Sequence, residues 1–136
     1  MNTLKYLKLT LALVGVAIIF LGLNIGLGGI KTLGWQMTRD FISITDAQVF
    51  SAQDSHIRFI GGVWFSVGVL FLVGSYAFDL LRPVLIALCL IIPIAGLFRL
   101  SALDADIVFS ASIGPSFALE LVGFPVLAFW IKRISY

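Results

Sequence analysis

Glu120 lies inside a hydrophobic run, beginning Pro115-Ser-Phe-Ala-Leu-Glu120-Leu-Val-Gly-Phe-Pro125, that is long enough to cross a membrane. A carboxylate at the bilayer centre costs about 2.5–3.5 kcal/mol on insertion scales, and less toward the interface. Such a residue calls for a cationic partner, and two are well placed. Arg58 opens the second apolar run and Arg99 closes the third. Two guanidiniums against one carboxylate leave a local positive excess unless Asp54 joins them. That excess suits an anionic group: a lipid phosphate, a carboxylate or a polarised carbonyl. The competing reading is that the three charges fix helix register and satisfy one another. A proton or ion relay through Glu120 would need a second half-pathway, and the inner halves of the spans hold no charged residue.

The other polar residues add little chemistry. Asp54 with His56 has the makings of an acid/base pair, but no nucleophile or metal constellation accompanies it, so no catalytic residue is assigned. Asn24 in the first apolar run suits a hydrogen bond to a neighbouring helix. Asp104 and Asp106 are two loop carboxylates without further oxygen ligands, which is weak support for a cation site. With one cysteine, Cys89, and one histidine, His56, the chain has no internal disulfide, no Cys-rich metal site and no multi-His cluster. Neither a metal nor a cofactor is expected. The candidate ligand-binding or ion cluster is therefore Arg58, Arg99, Glu120, Asn24, His56 and Asp54.

These residues need a scaffold, and the composition says which kind. Of the 136 residues, 60% are hydrophobic and 12% charged, with a mean hydropathy of +1.11. A soluble domain carries about 25% charged residues. Half that charge in so apolar a chain points to a multi-span membrane protein. The formal net charge of +2 and the lack of a basic patch interleaved with aromatics give no reason to expect nucleic acid.

Four spans are expected, at about residues 7–30, 56–78, 83–100 and 115–131. The first follows Lys5 and Lys8; it is too long for a signal-peptide core and is read as a retained span. Within it Gly15, Gly22, Gly26 and Gly29 share one face, which lets another helix approach closely. Residues 31–55 form a polar outer loop, in part helical. Thr45-x-x-Gln48 has capping-box spacing for a short helix near Asp46, and Ser51-x-x-Asp54 would cap the next one. Trp35, Phe41 and Phe50 suit a segment lying on the membrane surface. In the second span Gly61, Gly68 and Ser75 recur every seven residues, with Arg58 on the same face and at i,i+4 from Asp54. Asp79 to Arg82 reads as a tight turn and Pro83 as the first residue of span three. Pro93 then frees the carbonyl of Cys89, and Pro125 frees that of Leu121. The fold class is an all-α, up-down four-helix transmembrane bundle forming a single integral membrane domain over 1–136. Its topology brings Arg58, Arg99 and Glu120 to one depth, with Glu120 about 8 Å along the helix from Pro115.

Three short motifs carry a family resemblance: Arg58 with Gly61-Gly62, Gly96-x-x-Arg99-x-Ser101, and Glu120-Leu-Val with Pro125. Together they resemble a family of small four-span bacterial membrane proteins known as a domain of unknown function. More remotely the chain is similar to the DoxX-like four-helix proteins. The resemblance implies a bacterial inner-membrane bundle with these charges as signature positions, and it brings no activity with it.

The function expected from these residues is a non-enzymatic binding or accessory protein with an outward-facing Arg/Glu pocket. Its partners are membrane lipid or a small anionic, amphipathic ligand. The alternative is a structural subunit whose glycine face docks on a membrane-protein partner or in a homo-oligomer. A transporter or membrane enzyme ranks third.

Orientation follows from lysine and arginine placement. With four spans, Lys5, Lys8, Arg82, Lys132 and Arg133 share a side, whereas Lys31, Arg39, Arg58 and Arg99 fall on or toward the other. Because Arg58 and Arg99 belong inside the bundle, both termini are placed in the cytoplasm. A reporter active only in the periplasm, fused after Tyr136, is expected to be silent; strong periplasmic activity would reverse the orientation.

Overall fold

The computed structural model describes residues 2–34 and 43–134. All regular structure among them is helical, and four helices are long and apolar enough to cross a membrane: Thr3–Lys31, Ala47–Tyr76, Phe78–Ala102 and Gly114–Arg133. The four-helix, all-α class expected from the sequence holds. Trp35, Phe41 and Arg39, read above as lying in the outer loop, fall outside the described residues. The chain divides into two compact units, Leu9–Tyr76 and Met1–Lys8 with Ala77–Tyr136.

The Leu9–Tyr76 unit pairs α1 (Asn2–Gly28) with α2 (Ala47–Tyr76). Glycine brings their backbones into contact. A Cβ on Gly15 would lie 2.6 Å from the Leu72 nitrogen and one on Gly68 2.6 Å from the Ile19 nitrogen, distances real Cβ atoms do not reach. Gly22 meets Phe65 and Gly61 in the same way, and a Cβ on Gly61 would strike the Gly26 backbone, although one on Gly26 itself would make only ordinary contacts at 3.5 Å or more. In lipid no hydrophobic effect drives such a pair together. Close backbone approach, with the dispersion contacts it allows, takes that role. The α1 stripe and the seven-residue α2 seam thus read correctly as packing faces, and they pack on each other.

The start of α2 differs from expectation. A single helix runs from Ala47, so the short loop helix and the second span are one element. Asp46 caps it, its Oδ1 accepting from the Gln48 and Val49 amides at 2.9 and 3.0 Å. The Thr45 capping box gives way to Asp46, one residue closer to the helix. Ser51 is no cap either; its hydroxyl donates to the Ala47 carbonyl within the helix at 2.8 Å.

In the other unit, α3 (Phe78–Leu97) packs along the last span. Its buried residues Phe78, Leu85, Cys89, Ile92 and Gly96 line one face. Against them lie Phe124, Leu127, Ala128 and Ile131 of α6 (Phe124–Arg133), at i, i+3, i+4 and i+7. The turn before α3 is tighter than expected: only Ala77 separates it from α2, and Pro83 falls inside the helix. After α3 the chain tightens into a 3₁₀ turn, Phe98–Ala102, then forms the short helices α4 (Ala105–Val108) and α5 (Gly114–Ala118). A π-turn, Leu119–Gly123, links α5 to α6.

Adjacent glycines test the packing account of α1 and α2. A Cβ on Gly61 would overlap the Gly26 backbone, whereas one on Gly62 meets nothing within 4 Å. Gly61→Ala is therefore expected to destabilise the protein by about 1–3 kcal/mol through overpacking. Gly62→Ala should stabilise it by about 0.5–1 kcal/mol through helix propensity. Thermal unfolding in detergent reads both, and equal responses would refute the close-packed seam.

Candidate functional site

Arg99 and Glu120 form a bidentate pair. Arg99 Nε donates to Glu120 Oε2 at 2.9 Å and Nη2 donates to Oε1 at 2.6 Å, the parallel fork that planar guanidinium and carboxylate groups favour. Each partner is placed by a departure from regular helix. Arg99 rides the 3₁₀ turn that ends the third span. Glu120 sits in the π-turn, whose wide ring is closed by the Phe124 amide donating to the Leu119 carbonyl, five residues back. Pro125 follows immediately; it has no N–H for the Leu121 carbonyl, and its ring crowds that carbonyl in a regular helix. A widened turn directly before the proline accommodates both demands. Gly96 supplies the room: a Cβ there would lie 2.9 Å from Glu120 Oε2 and 3.1 Å from its Cβ. The Glu120 side chain is 11% exposed, that of Arg99 38%. The pair therefore has a buried anionic half and a cationic half at the surface.

In the Leu9–Tyr76 unit Arg58 pairs with Asp54, one helical turn earlier, through Nε to Oδ2 at 2.6 Å. The other carboxylate oxygen accepts from the Ile30 amide at 2.7 Å. Arg58 Nη1 donates to the Gly26 and Leu27 carbonyls and Nη2 to that of Gly28 at 3.4 Å. Together the two side chains close the C-terminal end of α1, whose last carbonyls have no partner inside the helix. Gly29 makes the clamp feasible. Its φ of 72° is the left-handed conformation of a helix-ending residue, and a Cβ would strike both Asp54 Oδ1 and Arg58 Nη2. The positive excess expected from two arginines against one carboxylate is thus balanced locally, because each arginine has a carboxylate of its own.

The remaining expected residues have settings of their own. His56 is exposed on α2. Asn24 lines an open, mostly apolar groove of about 500 Å³ with Phe20, Leu23, Leu27 and Gly28. Cys89 is buried in the α3 face. Asp104 serves as a helix cap, its Oδ1 accepting from the Ile107 amide at 3.1 Å, and borders a hollow of about 170 Å³ with Leu100, Leu103, Ala105 and Val108. Two residues matter more than the sequence reading allowed. Gly29 belongs by spacing to the packing stripe, but a glycine just past an apolar helix is also a stop signal, and that is its role here. Arg82 was counted only for orientation, yet its Nη2 donates to the Lys132 and Ile134 carbonyls at 2.9 and 2.7 Å, closing the end of α6.

The DUF4345 family profile, described as a domain of unknown function, matches residues 6–131, and the chain belongs to that family. No curated protein and no solved structure is a significant match to it.

Removing Glu120 alone would strand a partly buried guanidinium. Glu120→Ala should cost about 3 kcal/mol, the low end for a broken buried pair because Arg99 keeps an exposed edge. Removing Arg99 as well should restore part of the loss, since the stranded charge goes with it. Unfolding of the two single variants and the double variant in detergent measures the coupling. A Glu120→Ala protein as stable as the unmodified one would show that the pair carries no such burden.

Proposed function

We propose that this chain is a non-enzymatic, multi-pass membrane protein, a binding or accessory protein that holds the anionic headgroup of a lipid, or a small anionic amphiphile, at Arg99. One observation carries the reading: the guanidinium uses Nε and Nη2 on Glu120, and Nη1 has no hydrogen-bond partner among the described residues. A partly exposed planar cation at the end of an apolar span, held rigid from behind by a carboxylate, is preorganised for an oxygen anion. The neighbouring hollow of about 170 Å³ is smaller than the roughly 300–1,000 Å³ of sites that enclose a small molecule. That size favours a surface headgroup contact over an enclosed ligand.

Arg58 and Asp54 enter this reading as a structural clamp, because every guanidinium nitrogen of Arg58 is already bonded. The subunit reading loses its surface, since the glycine stripe of α1 is covered by α2. An enzyme or transporter built on Glu120 has little support, because both of its carboxylate oxygens are held by Arg99. A bacterial inner membrane, cytoplasmic termini and a remote DoxX-like shape belong to the same proposal. They rest on the lysine and arginine placement and the four-span pattern.

The test is the melting temperature in neutral detergent with added phosphatidylglycerol, phosphatidylcholine or inorganic phosphate. Phosphatidylglycerol should raise it more than phosphatidylcholine does. Inorganic phosphate matching that rise would identify a free-anion site instead of a lipid one. Arg99→Gln should abolish the phosphatidylglycerol increment, and Glu120→Gln, which removes the competing carboxylate, should enlarge it. Lys132→Gln/Arg133→Gln, altering basic residues elsewhere, should retain it. If Arg99→Gln responds like the unmodified protein, the headgroup is not held at Arg99.

A further inference from the structure

The link between the third and fourth spans exposes apolar side chains where a water-facing loop would show polar ones. Leu103 is 93% exposed, Phe109 67% and Ile107 55%. Leu103 also has a φ of 55°, a left-handed conformation that glycine or asparagine normally supplies at a helix end. A leucine here is the less suitable choice both for the backbone and for contact with water. Strain of this kind in a conformation held by its surroundings points to a role for the side chain.

The segment is built and anchored. Leu103 donates its amide to the Leu100 carbonyl at 3.0 Å, and Asp104 caps α4. Val108 is buried, and the Phe109 ring meets Phe117 edge to face at 5.8 Å. The spans on either side end at Ala102 and begin at Gly114. Residues 103–113 are therefore tied at both ends to segments long and apolar enough to cross a membrane, which makes lipid the apolar phase nearest to their exposed side chains. Leu103 and Ile107 stand four residues apart around the start of α4, while Asp104 and Asp106 alternate with them and remain exposed. Exposed apolar side chains interleaved with exposed acids suit a boundary between phases, where apolar groups reach about 5–10 Å into the headgroup and acyl region and charged groups stay in water.

We propose that residues 103–109 form an interfacial anchor, in which Leu103, Ile107 and Phe109 insert into the bilayer that the adjoining spans cross. The occupant of this apolar surface is lipid. The anchor rests on exposure and conformation and is independent of the headgroup reading at Arg99. A consequence is that Arg99, four residues before Leu103, is held at headgroup depth.

The experiment places single cysteines at Leu103, Ile107 and Asp106 on a Cys89→Ala background and labels each with bimane. The protein is reconstituted in phosphatidylcholine vesicles. At positions 103 and 107, lipids with a nitroxide high on the acyl chain should quench several-fold more than aqueous iodide does. At position 106 iodide should quench more. Strong iodide quenching at 103 and 107 would put the segment in water. Protection from both quenchers would put it against protein, such as a second copy. Either result overturns the anchor. If Leu103→Cys fails to fold, the contrast between 107 and 106 decides.

Discussion

The hydrocarbon core of a bilayer offers no hydrogen bonds, so each backbone or side-chain polar group at that depth needs a partner from the protein itself. The regular parts of the helices meet that demand internally; their ends and their charged residues do not. In this chain arginine recurs at such places. Arg58 closes the carbonyl end of α1 and Arg82 that of α6. Arg99 neutralises the buried carboxylate of Glu120. A positive group at a helix C-terminus is also favoured by the helix dipole. Five donors in a fixed fork suit arginine to this work, since one side chain reaches several carbonyls at once.

Charge can be arranged this way only where the backbones leave space. Gly96 admits the Glu120 carboxylate, and Gly29 admits both members of the Asp54–Arg58 pair. The π-turn before Pro125 is a second means to the same end. It directly precedes Pro125, which has no N–H to give a regular helix, and it carries Glu120 on its widened ring. Local irregularity and charge placement are thus one feature. A regular Gly114–Arg133 helix would still have the proline conflict at the Leu121 carbonyl.

Much of this was legible in the residues. Four apolar runs gave four spans, because hydrophobic length is the dominant constraint in a bilayer. The small-residue faces of α1 and α2 were legible as packing faces from their spacing. That Glu120 needs an arginine followed from its place in an apolar run, but both Arg58 and Arg99 suited it by depth and only the structure selects Arg99; Asp54–Arg58 followed from one helical turn of separation. What escaped depends on which of two compatible local signals wins. Thr45 and Asp46 can both cap a helix, and Asp46 does so. Pro83 suits a first helical position, yet α3 begins at Phe78. The reach of Arg58 to the end of α1 and of Arg82 to the end of α6 depends on contacts far apart in sequence, for which a single sequence carries no periodic signal. Leu103 in a left-handed conformation runs against its own propensity.

An ion pair in a span is seldom there for stability. Well-packed apolar residues in place of such a pair are often neutral or stabilising, and apolar residues at positions 99 and 120 would ease membrane insertion. Helix register is the usual alternative explanation. Here the buried face of α3, from Phe78 to Gly96, already interlocks with Phe124, Leu127, Ala128 and Ile131 of α6. A register fixed by that much apolar shape gains little from one charged pair at its end. The asymmetry of the pair is then the informative feature: the carboxylate is buried with both oxygens held, and the guanidinium side chain is the more exposed partner. A pair serving only itself would be equally well placed with both partners enclosed. The proposed function gives that asymmetry a use: the arginine, steadied from inside by Glu120, keeps Nη1 for an anion arriving from outside, and at the end of a membrane span the nearest abundant anion is a lipid headgroup.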